Sequence, residues 1–398
     1  MKIHPHDRLT FDYGTVIARV RENLRYRARE LDRERTEAPA LLQELTAYEA
    51  GHRERPLGSP RFHTWGLFEL LIGRSGELGI GNPALAEELA LLALQVSNHL
   101  DLSYYSAELT ENLRARAWSA VGNARRVRSD LQGSEEAFHC AASHLKAGTR
   151  EPVEKAVFLD LKASLRRDQR RFHEAIHLLD RAVHIFLRQG ERHRAGRSLV
   201  NLSIVHNQTG NPQKSISLLQ EALGLIDAGQ EPRLLLCARH NLIFYLADAE
   251  RYLEAHRLYS ETRPFYRIFP DAWTQNRRKW VRGKIARGLQ QLETAESLFR
   301  AARDGFMAEG GPYDTALVSL ELAVLYAEQG RTAELRQLAE EMVPIFASRQ
   351  IHREALAALA FFRQAAAAEH ANLEMITRVS SYLRRAQDDP AQHFEEMA

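Results

Sequence analysis

Residues 171–183 read RFHEAIHLLDRAV, and five other stretches of the chain fall into register with it. They are DLQGSEEAFHCAA at 130–142, NPQKSISLLQEAL at 211–223, RYLEAHRLYSETR at 251–263, QLETAESLFRAAR at 291–303 and RTAELRQLAEEMV at 331–343. The residues opening the pattern are Leu131, Phe172, Pro212, Tyr252, Leu292 and Thr332, separated by 41, 40, 40, 40 and 40 positions. A fixed period of this length marks an array of stacked supersecondary units. Three residues after each opening residue stands a mostly small side chain: Ser134, Ala175, Ser215, Ala255, Ala295, then the larger Leu335. Four further on come Phe138, Leu179, Leu219, Tyr259, Phe299 and Ala339, and three beyond those Ala141, Ala182, Ala222, Thr262, Ala302 and Met342. Spacings of three and four place these residues on one stripe of a helix. Small members let a neighbouring backbone approach, and bulky members fill the space between helices.

The residues preceding each stretch form another helix, with its own small-residue site at Gly122, Ala163, Ser203, Ile243, Gly283 and Ala323. Pro152, Pro232 and Pro312 open three of these first helices, at the position where a missing N–H costs nothing. TGNPQ supplies Gly210 as a helix stop, Asn211 as an N-cap and Pro212 as a first helical residue, and IGNPA at 80–84 repeats that grammar. Strand signals are nearly absent, and the apolar residues recur at helical spacing along the chain. The fold class is all-α.

The chain has 398 residues, 44% of them apolar, and a net charge of +2. That balance supplies no global field toward nucleic acid or an anionic membrane. Cys140 and Cys237 are the only cysteines, too few for a disulfide framework or a thiolate zinc site. The opening MKIHPHDRLTFDYG has no apolar core of a signal peptide, and apolar runs such as LALLALQV are too short to span a bilayer. The expectation is a reduced, cytoplasmic, soluble protein.

The pattern resembles the tetratricopeptide repeat family. The resemblance rests on Trp118 with Val121-Gly122-Asn123, on the segment from Gly210 to Ala222, and on Tyr252, Ala255 and Tyr259. The unit of about 40 residues is similar to the kinesin-light-chain variant and to bacterial regulatory arrays, whose Asn-Leu step matches Asn201-Leu202 and Asn241-Leu242. It is strongest over 104–350, with a second helix of an earlier unit at 82–96 and an end-cap-like helix at 372–386. The resemblance implies a right-handed superhelical solenoid of about eight antiparallel helix pairs. The expected organisation is a charged helical extension or cap over 1–60, the solenoid over 61–390 and a flexible tail over 391–398. The stretch 15–50 carries a thin apolar stripe of Val16, Val20, Leu24 and Leu31, suited to an end cap or to docking another chain.

His173-Glu174-Ala175-Ile176-His177 spells the H-E-x-x-H string of zinc peptidases. A metallopeptidase also needs a third ligand, and Val183 stands where the extended motif wants histidine, with His184 one step out of phase. Ala175 belongs to the packing stripe, so its flanks read as surface. Neither a P-loop nor a G-x-S-x-G elbow occurs in the chain. The reading is therefore non-enzymatic, with no catalytic residue, metal or cofactor.

In the resembled family the first helices line a concave groove that grips a peptide. That implication selects Arg116, Asn123, Arg126, Arg167, Arg197, Asn201, His240, Asn241, Arg277, Trp280, Lys284 and Arg287. Phe244 and Asp248 fall on the same face of their helix as Asn241. An Asn amide both donates and accepts, so it pairs with a main chain whatever side chains that chain carries. Arg and Lys add attraction for carboxylates, which favours an acidic protein or peptide partner. Trp273 and Trp280 among the basic residues 277–287 also suit nucleic acid, the less favoured partner, and packing of Trp280 against a neighbouring helix is the plainer reading. The function expected is an interaction scaffold or adaptor. The alternative is a signal-sensing subunit of a transcription regulator working through a separate DNA-binding partner, and a zinc metallopeptidase acting through His173, Glu174 and His177 is a distant third. Oligomeric state is left open.

Overall fold

A computed structural model describes residues 13–79, 81–347, 359, 362–367 and 371–386. No strand occurs among them. The helices are α1 (Tyr13–Thr46), α2 (Trp65–Leu78), α3 (Pro83–Asn98), α4 (Leu102–Tyr105), α5 (Ala107–Val127), α6 (Leu131–Ala147), α7 (Pro152–Asp168) and α8 (Phe172–Arg188). They continue as α9 (Arg192–Gln208), α10 (Pro212–Leu223), α11 (Pro232–Asp248), α12 (Tyr252–Ile268), α13 (Ala272–Gly288), α14 (Leu292–Ala308), α15 (Pro312–Glu328), α16 (Thr332–Ala347) and α17 (Leu373–Ala386). Residues 362–367 are also helical. The predicted 391–398 tail lies outside the described residues.

The 40-residue period is visible in the starts: first helices begin at Pro152, Arg192, Pro232, Ala272 and Pro312, second helices at Phe172, Pro212, Tyr252, Leu292 and Thr332. The stripe residues read for the second helices of the repeats, from Ser134 to Met342, are all buried, as are the six small sites of the first helices. The small sites admit the bulky ones: a Cβ at Gly122 would stand 3.0 Å from the Phe138 ring, and one at Gly283 only 2.6 Å from Phe299.

What stops the helices is a left-handed residue about every twenty positions. Arg170, Gly190, Gly210, Glu250, Gln290, Gly310 and Gly330 have φ between 59° and 78°. The next N–H then turns back into the helix. Arg171 donates to the Arg166 carbonyl at 2.8 Å, Asn211 to His206 at 2.9 Å, Arg251 to Leu246 at 2.9 Å and Gln291 to Ala286 at 2.8 Å. This satisfies carbonyls that the helix end would leave orphaned. Asn82 caps α3 as predicted, accepting from Leu85 N–H at 3.1 Å. Asn211 sits at the N-cap of α10, but its amide donates to Thr209 and makes no capping bond.

The chain divides into two compact units, Met1–Leu165 and Arg166–Ala398. In the first, α1 packs on α2, α2 on α3, α3 on α5 and α5 on α6. Gly66 lets α1 and α2 touch: a Cβ there would lie 2.4 Å from the Glu34 carbonyl carbon. The Glu34 carboxylate accepts from Gly66 N–H at 3.0 Å and from the Tyr105 hydroxyl at 2.5 Å. Of the stripe read on α1, Leu24 is 62% exposed, and the buried anchors of the helix are Ala38 and Leu45. The side chains of Val16 and Val20 lie outside the described ones.

In the second unit each of α10, α12 and α14 packs against the first helix before it and the one after it. The first helices α11, α13 and α15 also touch directly, in that order. Trp280, Phe299, Phe306, Leu317, Leu320 and Tyr326 centre its core, which the apolar side of α17 joins through Ile376, Val379, Tyr382 and Leu383. Burying each such side chain contributes roughly 1.5–3 kcal/mol.

Candidate functional site

The side chains selected from the sequence divide by unit. In the first unit, Arg116 faces Glu154 at 3.8 Å and lies over the Phe68 ring. Asn123 accepts from Arg126 Nε at 3.2 Å and Nη2 at 3.0 Å, so each occupies the other. The basic run that contains them is neutralised locally, since Arg125 and Arg128 reach Glu87 at 2.8 Å and 2.5 Å.

In the second unit the equivalent positions of α9, α11, α13 and α15 carry Arg197, Cys237, Arg277 and Leu317, then Asn201, Asn241, Val281 and Glu321. The 40-residue spacing puts each set at one level of consecutive first helices. Arg167 pairs with its neighbour Asp168 at 2.8 Å, and Arg197 is exposed and paired with Glu231. Arg233 continues that pattern, bonded to Asp271 at 2.7 Å.

Arg277 differs. Its Nε donates to His240 Nε2 at 3.2 Å, and its guanidinium lies 4.8 Å from the centre of the Trp273 ring. Among the described residues it has no carboxylate within ion-pair distance. His240 is buried, with Nδ1 2.7 Å from the Tyr266 hydroxyl. Since Nε2 accepts from Arg277, Nδ1 carries the proton and donates to Tyr266. Burial, with the Arg277 charge beside it, holds the His240 pKa well below the usual imidazole range. The ring is thus a neutral strut for Arg277. Burial pushes the Asp314 carboxyl up, and Arg277 pulls it part of the way back. Asn241 is half-buried on the next level, beside His240 in sequence. Burial also raises the Cys237 thiol, which disfavours a reactive thiolate.

Lower on the wall the charges are already matched. Lys284 Nζ stands 2.8 Å from Asp248 Oδ1 and 2.5 Å from Glu321 Oε1. Arg287 reaches Glu321 Oε2 at 3.4 Å. Burial by itself would raise the Glu321 pKa, but Lys284, Arg287 and Arg384 outweigh it and hold the carboxyl below its usual range. Asp248 is depressed in the same way, burial opposing Lys284 and Arg384. Trp280 is core: it is buried, edge-on to Phe244 and Phe306 with centroids 5.2 Å and 6.1 Å away. The sequence reading missed Glu321 and Arg384, which complete this cluster.

The zinc string lies apart, on α8. His173 and His177 are exposed, while the Glu174 carboxylate faces Arg166 at 3.0 Å and Arg171 at 2.5 Å. Among the described residues no helix is long and apolar enough to cross a membrane.

Residues 155–227 match the tetratricopeptide repeat family model. No curated protein sequence matches the chain. Among solved structures, the Rap protein complexed with Competence and Sporulation Factor is similar with a TM-score of 0.60 and 12% identity, covering 81% of this chain and 87% of that one. The apo form of RapI is similar at 0.52 and 15% identity, covering 70% and 97%. The apo quorum sensor NprR from B. thuringiensis is similar at 0.51 and 13% identity, covering 92% and 99%. At these identities the likeness is one of fold. Together with the matched repeats and the pairwise helix packing, it shows that this chain has an all-α fold like that of tetratricopeptide-repeat proteins.

Proposed function

We propose that the chain is a non-enzymatic peptide-binding protein whose receptor surface is the wall of first helices α9, α11 and α13. The observation that carries this reading is Arg277, a half-buried guanidinium braced by a neutral histidine and a tryptophan face, with no carboxylate within ion-pair distance among the described residues. A cation held in this way takes a carboxylate at lower desolvation and ordering cost than a mobile surface arginine. Asn241 on the adjoining helix adds an amide that reads main chain. The ligand is a peptide that presents a carboxylate, from an acidic side chain or its C-terminus, beside a stretch of accessible backbone. A Rap protein of similar fold complexed with Competence and Sporulation Factor, and the likeness to a quorum sensor, support a signal-reading role for the wall. A partner is sought by affinity capture with the full chain and mass spectrometry, then titrated against wild type and Asn241→Ala, Arg277→Ala. Losing a neutral and a charged hydrogen bond should weaken binding by roughly 2–4.5 kcal/mol if the terms add. Unchanged affinity in a folded double variant refutes the proposal.

A further inference from the structure

Arg384 lies 136 residues beyond Asp248 in the chain, yet its Nη1 stands 3.3 Å from Asp248 Oδ2. Its Nη2 lies 3.5 Å from Glu321 Oε1, and its guanidinium 5.8 Å from the centre of the Phe244 ring. Phe244 and Asp248 belong to the face of α11 that the sequence assigns to the groove. Glu321 holds on α15 the place that Asn241 holds on α11. So the terminal helix reaches the candidate wall itself. It does so as an amphipathic helix laid on a groove: α17 packs on α15, Ile376, Val379, Tyr382 and Leu383 are buried, and Leu373, Glu374, Thr377 and Ser381 are exposed.

Two features make the Arg384 contact exchangeable. Its bonds are at the long end of the range, whereas Lys284 holds the same two carboxylates at 2.8 Å and 2.5 Å. When Arg384 leaves, Asp248 and Glu321 still face Lys284 and Arg287, so no net buried charge is exposed. Asp248 Oδ2 and the Phe244 face are then available to another planar cation, for which a carboxylate oxygen and an aromatic face are suited partners. We propose that Phe244, Asp248 and Glu321 form an arginine-binding subsite of the wall, filled in cis by Arg384, so that a peptide presenting a guanidinium there competes with the chain's own terminal helix. This rests on the reading of the wall as a peptide receptor and adds to it: the ligand carries an arginine as well as a carboxylate.

The test uses the full chain as wild type, Arg384→Glu and Arg384→Lys. Hydrogen exchange should be at least tenfold faster across α17 in Arg384→Glu, unchanged in α9, and close to wild type in Arg384→Lys. A fluorescent synthetic peptide with the sequence of residues 373–386 should bind Arg384→Glu at least tenfold more tightly than wild type. A version of that peptide with glutamate in place of its Arg384 should lose the gain. Equal α17 exchange in all three proteins overturns the inference, as does a peptide that binds both proteins alike or whose arginine is dispensable. Should Arg384→Glu fail to fold, Asp248→Asn breaks the contact from the other side and is read by α17 exchange, which should again be at least tenfold faster, and by the 373–386 peptide, which should now bind no better than to wild type because the subsite has lost its carboxylate. The two readings fail separately. Asn241→Ala, Arg277→Ala probes the wall away from α17, and α17 exchange probes the cis contact with no partner present.

Discussion

Lys284→Met should cost about 2–4 kcal/mol of stability, well beyond an ordinary surface change. The ammonium is buried, 2.8 Å from Asp248, 2.5 Å from Glu321 and 5.2 Å from the centre of the Phe244 ring. Methionine keeps most of the length and removes the charge. Breaking a buried pair from one side typically costs about 3–5 kcal/mol, because the surviving charge stays desolvated. Here Arg287 at 3.4 Å and Arg384 at 3.5 Å still face Glu321, which lowers the expectation to about 2–4 kcal/mol. Replacing the closer carboxylate as well, as Lys284→Met, Glu321→Met, should return part of that loss, because the Met pair needs no compensation and Asp248 keeps Arg384 at 3.3 Å. The pH dependence has a definite sign. Both carboxyls are depressed in the folded chain, so their contribution is present above the unfolded values near 4 and is lost as pH falls through the folded ones. The cost of Lys284→Met should therefore be largest near neutrality and shrink below about pH 4, where protonated carboxyls no longer need the cation. Urea unfolding followed by circular dichroism gives the global number, and hydrogen exchange in α11, α13 and α15 gives the local one, since a repeat array opens in pieces. A single-variant cost under about 1 kcal/mol, a cost flat from pH 3 to 7, or a double variant no better than the single would refute the reasoning.

Gly210→Ala should cost about 0.5–1 kcal/mol: φ is 77° and nothing lies within 4 Å of a new Cβ, so only the backbone term, less the unfolded-chain gain, is felt in the melting curve. Ala255→Arg should cost several kcal/mol through strain and desolvation at a fully buried site, with exchange loss centred on α11–α13; loss spread evenly through the second unit would count against nearest-neighbour stacking. His177→Ala should stay within about ±0.5 kcal/mol, while Glu174→Gln should cost about 0.5–1 kcal/mol because it faces the buried Arg166. Equal effects of these two on melting, or a peptidase activity lost in either, would reverse the assignment of that string to the α8 surface.

Packing was the most legible layer, for a physical reason. Two helices approach closely only where side chains are small, and the gap alongside must then be filled by something bulky. That pairing of Gly122 with Phe138, or Gly283 with Phe299, is written in single residues at fixed spacing. Helix stops were less legible. Gly210 announces a left-handed turn, but Arg170, Glu250 and Gln290 adopt the same conformation and give no local signal. Their strain is offset by the backbone bonds that the turn closes, so residue type there is only weakly constrained. The α1 stripe left the fate of Leu24 open, because periodicity marks a face without saying whether a neighbour covers it, and Leu24 is exposed.

The candidate wall shows the same limit at the level of chemistry. Spacing places a polar side chain on a face, but whether that side chain is available depends on what stands opposite. Lys284 and Arg287 look like free cations in sequence, and the carboxylates that take them up come from α11 and α15, some 34–37 positions away. Arg384 is harder still, since its partners are more than sixty positions distant and no period links them. Electroneutrality supplies the missing criterion. In a half-buried wall each charge needs an answering group, because leaving one unmatched costs more than a pairing at the surface gains. Among the described residues of this wall, Arg277 has no carboxylate within ion-pair distance, only Asp314 near enough to feel its charge, and it is held by a histidine that burial keeps neutral. The chain orients this guanidinium without neutralising it, and a ligand carboxylate is the group that would complete it.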